Sequence, residues 1–208
     1  MKGHQELDDQ FRKGAERAQG KLICWLLGGQ LGVTLPAEIL DIGVFRTTYH
    51  SRIAALKGVS RKLIEVAEAA GYSQEICGYY KVAIGYALLL SKGQLHVVPE
   101  APVMLRPDFI WAPNGCPSAL QVGEALGRIL NVPVIGLDIP FESEVANRDR
   151  ILDYLESQLR EALDILETWT GRPFDWPRLA EYIKGLAEVA DIRNEVSQMC
   201  KTCPSVCS

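Results

Sequence analysis

Nothing in this sequence is long and apolar enough to cross a bilayer. Its longest apolar run, Val82 to Leu90, is interrupted by Gly85, and it falls well short of the roughly 20 residues that a spanning helix needs. There is no excess of basic charge either. Lys and Arg number 22 against 26 Asp and Glu, for a net charge of -4, so no bulk field draws the chain to nucleic acid or to an anionic membrane surface. The amino terminus, Met1-Lys2-Gly3-His4-Gln5-Glu6-Leu7-Asp8-Asp9, is polar where a secretory signal would place an apolar stretch. These absences point to a cytoplasmic chain with no membrane segment and no nucleic-acid partner.

Several chemistries are missing as well. The three histidines, His4, His50 and His96, are scattered and show no metal-ligand spacing. No Gly-x-Ser-x-Gly elbow and no Gly-Lys-Ser/Thr phosphate loop occurs. Gly28-Gly29-Gln30-Leu31-Gly32 has the look of a phosphate-cradling loop but lacks the dinucleotide spacing, and glycines that permit a tight turn are the simpler reading. Asp138 and Glu142 flank a strand end, a plausible functional address where a cap or a solvated loop is the commoner role.

What the chain has in surplus is cysteine. Six occur in 208 residues: Cys24, Cys77, Cys116, Cys200, Cys203 and Cys207. In a reducing compartment such a count argues for thiols, catalysis or metal rather than disulfide staples. Cys24 sits inside an apolar run and reads as a small buried hydrophobe. The spacing Cys200-x-x-Cys203-x-x-x-Cys207 could hold zinc or an iron-sulfur cluster, with free or oxidised thiols as the alternative.

Strand and helix patterns alternate along the chain. Residues 5–19 suit a peripheral helix; Lys21 to Leu27 is a buried strand; a short helix follows, with Thr34 as cap, Pro36 at its first position and Glu38 in its first turn. Ile42 to Thr47 reads as a second strand and Ser60 to Ala70 as an amphipathic helix ended by Gly71. Cys77 to Leu90 is an apolar helix with Cys77 at its electropositive end. Pro107 to Asn114 and Val132 to Asp138 are the third and fourth strands, with a helix from Pro117 to Leu130 between them. A long helix with Leu152, Leu155, Leu159, Leu163 and Leu166 at helical spacing follows, and from Asp175 onward the chain is helical only. The expected fold is α/β, a Rossmann-like doubly wound parallel sheet of about four strands with a helical C-terminal extension. The expected organisation is a peripheral helix over 1–20, the α/β domain over 21–145 and the extension over 146–208. Ligands in such sheets gather at the carboxyl ends of strands, and Cys77 and Cys116 both fall near such ends.

Three stretches carry a resemblance. They are Glu75-Ile76-Cys77-Gly78-Tyr79-Tyr80-Lys81-Val82-Ala83-Ile84-Gly85, then Pro107-Asp108-Phe109-Ile110-Trp111-Ala112-Pro113-Asn114-Gly115-Cys116, then Asn131-Val132-Pro133-Val134-Ile135-Gly136-Leu137-Asp138-Ile139-Pro140-Phe141. In order and spacing the sequence resembles the 2-hydroxyacyl-CoA dehydratase and benzoyl-CoA reductase family, and Leu35-Pro36-Ala37-Glu38-Ile39-Leu40 with Val44-Phe45-Arg46 adds to the likeness. The stretch Gly71 to Gly85 leans toward the aromatic reductase branch.

That resemblance implies an iron-sulfur subunit of an anaerobic CoA-ester enzyme. It implies a [4Fe-4S] cluster with Cys77 and Cys116 as two of its ligands, a paralogous iron-sulfur subunit as partner, an ATP-dependent iron-sulfur activator as electron source and an acyl-CoA substrate. The reduced cluster would pass one electron to the thioester-activated substrate, which then loses water or takes up protons. In the family a third ligand comes from a second α/β domain, so for this chain it would come from a partner, from water or from the terminal cysteines. Two other roles stay open: a non-catalytic partner or electron-relay subunit, and a zinc module built on Cys200, Cys203 and Cys207.

Overall fold

The structure, a computed structural model of the chain, describes residues 9, 12–28, 31–140 and 147–202. It opens with a helical segment over residues 12–17 (α1). There follow β1 (Ile23–Leu26), α2 (Leu31–Ile39), β2 (Gly43–Arg46), α3 (Thr47–Leu56), α4 (Ser60–Ala69) and α5 (Gly78–Ser91). A single 3-10 turn at Leu95–Val97 leads into β3 (Phe109–Pro113), α6 (Pro117–Leu130), β4 (Val134–Leu137), α7 (Arg148–Thr170) and α8 (Trp176–Thr202). The four strands form one sheet in the order β2-β1-β3-β4, with every pairing parallel. This is the α/β architecture that the alternation predicts.

Both faces of the sheet are covered, and the strands show why. Successive side chains of a strand point to opposite faces. In β1, Trp25 joins a core with Ile110 and Ala112 of β3, while Cys24 and Leu26 join the other with Phe109 and Trp111. The first core is roofed by α4, α5 and α6 and contains Leu63, Ile84 and Leu126. The second is roofed by α2, α7 and the first turns of α8, through Ala37, Leu163, Leu166 and Leu179. Sealing the central strands on both sides favours the continuous apolar runs that made them legible.

Close approaches fix where the helices sit. Helix α5 is apolar all round, as befits a helix enclosed by neighbours, and it meets α4 at Gly85. A Cβ there would lie 1.9 Å from the Leu63 carbonyl oxygen, and one at Gly123 of α6 would lie 2.5 Å from the Ala112 Cβ.

Two expectations need correction. Helix α2 begins at Leu31 and contains Pro36 instead of starting at it, so Thr34 is buried inside the helix and does not cap it. The proline's missing N–H removes the bond that would run back to the carbonyl of residue 32, past the first turn of the helix. Helix α3 carries no sequence signal: Thr47, predicted as the end of a strand, opens a ten-residue helix. The C-terminal helix is as predicted, and its Ile183, Val189, Ile192, Val196 and Met199 are exposed. Among the described residues, no helix is long and apolar enough to cross a membrane.

Candidate functional site

The strand order places a switch point between β1 and β3. From β1 the chain crosses to β2 on one side, and the later strands lie on the other, so the crevice outside the carboxyl ends of β1 and β3 is where such sheets collect ligands. Gly28 closes β1 there with a φ of +96°, and a Cβ on it would come within 3.9 Å of Pro113 at the end of β3. The positive φ supports the tight-turn reading of this glycine; Gly29 and Gln30 lie outside the described residues.

Cys116 follows β3 by three residues and occupies the N-cap position of α6, with extended φ and ψ of -134° and 133° and no side-chain capping bond. Its carbonyl accepts from the Ala119 N–H at 2.9 Å. Cys77 occupies the N-cap position of α5, also with no side-chain capping bond, and its carbonyl accepts from the N–H groups of Tyr80 at 2.9 Å and Lys81 at 3.0 Å. Both thiols are free and exposed. Each therefore sits at a helix N-terminus, where backbone N–H groups lack intrahelical partners.

The two cysteines are 39 positions apart in sequence, yet they act on one side chain. Tyr80 is only 5% exposed, and its hydroxyl hydrogen-bonds the Cys116 side chain. Its ionisation is pushed up to about 12, first by burial, then by the negative charge of Cys116 and Cys77, then by that hydrogen bond. The phenol thus stays protonated and donates to the Cys116 sulfur. Sequence reading missed Tyr80 because it stands in a uniformly apolar helix; the one available signal is its place three residues after Cys77, one helical turn on.

The scaffold that holds Cys77 at this edge is polar and local. The Thr47 hydroxyl donates to the Leu26 carbonyl at 3.3 Å, and the Ser51 hydroxyl donates to the carbonyls of Thr47 at 2.9 Å and Tyr79 at 2.7 Å. This chain of bonds runs from the end of β1 through α3 to the first turn of α5. Behind it, the buried Lys81 ammonium donates to Glu68 at 2.7 Å and to the Gln74 carbonyl at 2.8 Å, pinning the loop that carries Cys77 against α4.

Near Cys116 the anchor is Asn114. It accepts from the Ile139 N–H at 2.6 Å and donates to Asp138. Asp138 also accepts from the Tyr154 hydroxyl at 2.9 Å, while its backbone exchanges bonds of 2.8 Å and 3.0 Å with the Gln158 amide. Tyr154's ionisation is pushed up, chiefly by that hydrogen bond. Asp138 thus clamps α7 to the ends of β3 and β4; Glu142 lies outside the described residues.

The other cysteines are not brought to this edge. Cys24 is 1% exposed in mid-strand, and burial drives its thiol far above the ordinary range. Cys200 lies near the end of α8; Cys203 and Cys207 lie outside the described residues. Among the described residues no three His, Cys, Asp or Glu side chains are grouped as a metal site. The edge holds two thiols with a phenol donor.

Comparison with known proteins follows the same outline. Residues 33–208 match the family described as 2-hydroxyglutaryl-CoA dehydratase, D-component. The chain is similar to the alpha subunit of lactoyl-CoA dehydratase from Anaerotignum propionicum, 30% identical over 200 residues that cover 91% of this chain and 46% of that one. It is 33% identical over 153 residues to the (R)-2-hydroxyisocaproyl-CoA dehydratase alpha subunit of Clostridioides difficile, covering 73% of this chain and 36% of the relative. To a benzoyl-CoA reductase subunit of Thauera aromatica it is 30% identical over 145 residues, 69% and 32% of the two chains. The chain spans less than half the length of these curated relatives.

Proposed function

Because the chain belongs to the 2-hydroxyglutaryl-CoA dehydratase D-component family, we propose that it is the iron-sulfur-bearing portion of a CoA-ester dehydratase or reductase subunit, with Cys77 and Cys116 as two thiolate ligands of a [4Fe-4S] cluster. The observation that carries this reading is the convergence of two exposed thiols, from loops 39 positions apart, on the buried Tyr80 hydroxyl. The donor chemistry fits: soft thiolates at helix N-termini are what such clusters take. The number of ligands is incomplete, since a cubane offers four irons and the described residues bring two thiols together. The rest of the ligand set would come from residues outside the described ones or from a paralogous subunit. When bound, the cluster supplies one-electron transfer at low potential.

This chain's own residues hold and tune that position. Tyr80 donates to Cys116, and the Thr47-Ser51 and Asn114-Asp138 bonds keep both loops against the sheet edge. Such donors to ligand sulfur set both ligand orientation and potential. The substrate is an acyl-CoA, the electron source an ATP-dependent iron-sulfur activator, and the compartment the cytoplasm. Relatives named as dehydratase and as reductase subunits both match, so the acyl group stays open. Anaerobic reconstitution with iron and sulfide, followed by optical and electron paramagnetic resonance spectra, is the test. A brown protein with a reducible cluster supports the reading, and a colourless, iron-free protein contradicts it.

The same ligand number favours a second reading, in which the chain is a non-catalytic or electron-relay partner of a longer subunit. It predicts tight association with that subunit and no CoA-ester turnover by this chain alone, and turnover by the isolated chain with its activator would exclude it.

A further inference from the structure

A second concavity lies two strands away from the cysteines. It encloses about 420 Å³ beside the edge strand β2, within the span of roughly 300–1,000 Å³ typical of small-molecule sites. Arg17 and Lys21 line it together with Arg46, Tyr49 and, from α2, Glu38. Lys21 is paired with Asp41 at 2.6 Å. Arg17 and Arg46 line the cavity with no ion-pair partner among the described residues, and Glu38 is the one acidic residue of its described lining. The strand adds donors of its own. Gly43 gives its N–H to Leu22 of the β1 side at 2.9 Å, so by the alternation of a strand the N–H groups of Val44 and Arg46 point outward, along the unpaired edge.

Two guanidiniums, an ammonium and strand-edge N–H groups suit more than one phosphate. The cavity is much larger than a single phosphate; Val44 and Tyr49, whose ring carries the Arg52 guanidinium at 5.4 Å, add apolar lining, and Glu38 can accept from ribose hydroxyls or an exocyclic amine. The location matters as much. Arg46 is paired in register with Leu26, at the carboxyl end of β2, so it shares a sheet edge with the end of β3 at about 10 Å, two strand spacings.

We propose that this cavity binds the adenosine-phosphate end of a CoA thioester, with Arg17 and Arg46 on its phosphates, so that the extended pantetheine arm runs along the sheet edge toward Cys77 and Cys116. The inference rests on the CoA-ester reading above for the identity of its ligand. The shared chemistry is a polyphosphorylated adenosine, and a free nucleotide would offer the same groups.

Calorimetric titration of the reduced 208-residue chain at low salt with coenzyme A, ADP and inorganic phosphate separates the sources. Coenzyme A is expected to bind, and Arg46→Gln and Arg17→Glu are each expected to weaken it about tenfold or more, as loss of a charge-assisted phosphate contact does. Arg17 is exposed, so its replacement tests the site without disturbing the core, and unchanged circular dichroism is the control for Arg46→Gln. Failure of coenzyme A to bind, binding of ADP with exclusion of coenzyme A, or wild-type affinity in the double variant would each overturn the proposal. Iron content keeps the two readings apart. Nucleotide binding without reconstituted iron would sink the cluster and spare this site, and iron without coenzyme A binding would do the reverse.

Discussion

Cys24 and Cys116 belong to neighbouring strand units of one sheet, yet the fold puts them to opposite uses. Cys24 is in mid-strand, paired in register with Phe109, sealed by Leu26, Trp111 and Leu163 and held as a neutral thiol by burial. Cys116 stands three residues past the end of β3, exposed, at a helix N-terminus and with a phenol donating to its sulfur. The lesson is positional. In a parallel sheet the interior of a strand turns a cysteine into packing, and the turn beyond its carboxyl end turns the same residue into a ligand candidate. The comparison predicts a double dissociation, with interior substitutions lowering stability and edge substitutions lowering metal content.

The largest effect on stability is expected at Gly85. Its Cβ would meet the Leu63 carbonyl at 1.9 Å, so Gly85→Ala must push α5 from α4 and is expected to destabilise by about 3 kcal/mol or more, read as a lower denaturant midpoint.

His50 should give the next effect, as a pH dependence. Buried, with Nε2 donating to the Pro102 carbonyl at 2.8 Å, its imidazole is pushed down to about 4 from an ordinary 6.5 by burial. The folded chain then binds fewer protons than the unfolded chain between those values, so stability falls as pH drops from about 6.5 toward 4, by at most about 3 kcal/mol, and this group adds no slope above pH 7. Urea midpoints measured at pH 7.5 and 5 should differ in the wild type and differ less in His50→Gln.

Cys24→Ser places a hydroxyl in an apolar, fully enclosed position and is expected to lower stability by about 1–2 kcal/mol with iron content unchanged. Loss of iron in this variant would break the comparison from its interior side. The smallest effect is expected at Tyr80→Phe, which removes one donor to the Cys116 sulfur. Iron content should hold, and the reduction potential should fall, followed by electron paramagnetic resonance during a redox titration. An unchanged potential would reduce Tyr80 to packing.

How much of this was legible beforehand follows from the kind of signal each element carries. The strands announced themselves as short apolar runs because both faces are sealed, and α6 because Pro117 opens it and its stripe faces Ala112 and Ile110. Helix α3 did not. It begins Thr47-Thr48-Tyr49 and follows Arg46, which makes no side-chain capping bond, so neither composition nor a cap marks its start. Pro36 misled because proline favours a first helical position and is also tolerated a little further in. At the site, the two cysteines could be singled out by their place at helix starts and by the family resemblance. Tyr80 could not, since what distinguishes it is a contact with Cys116, made only once β3 and α5 are packed. The Arg17-Arg46 cavity is of the same kind, built from α1, β2 and α2 with no local motif.

The account rests on two edge thiols forming one site that the interior thiol does not share. Iron per chain after anaerobic reconstitution, measured side by side in wild type, Cys77→Ser, Cys116→Ser and Cys24→Ser, tests that most directly. The predicted result is wild-type iron in Cys24→Ser and a substantial loss in each of the other two, with thermal midpoints of the edge variants unchanged; equal iron in all four proteins would contradict it.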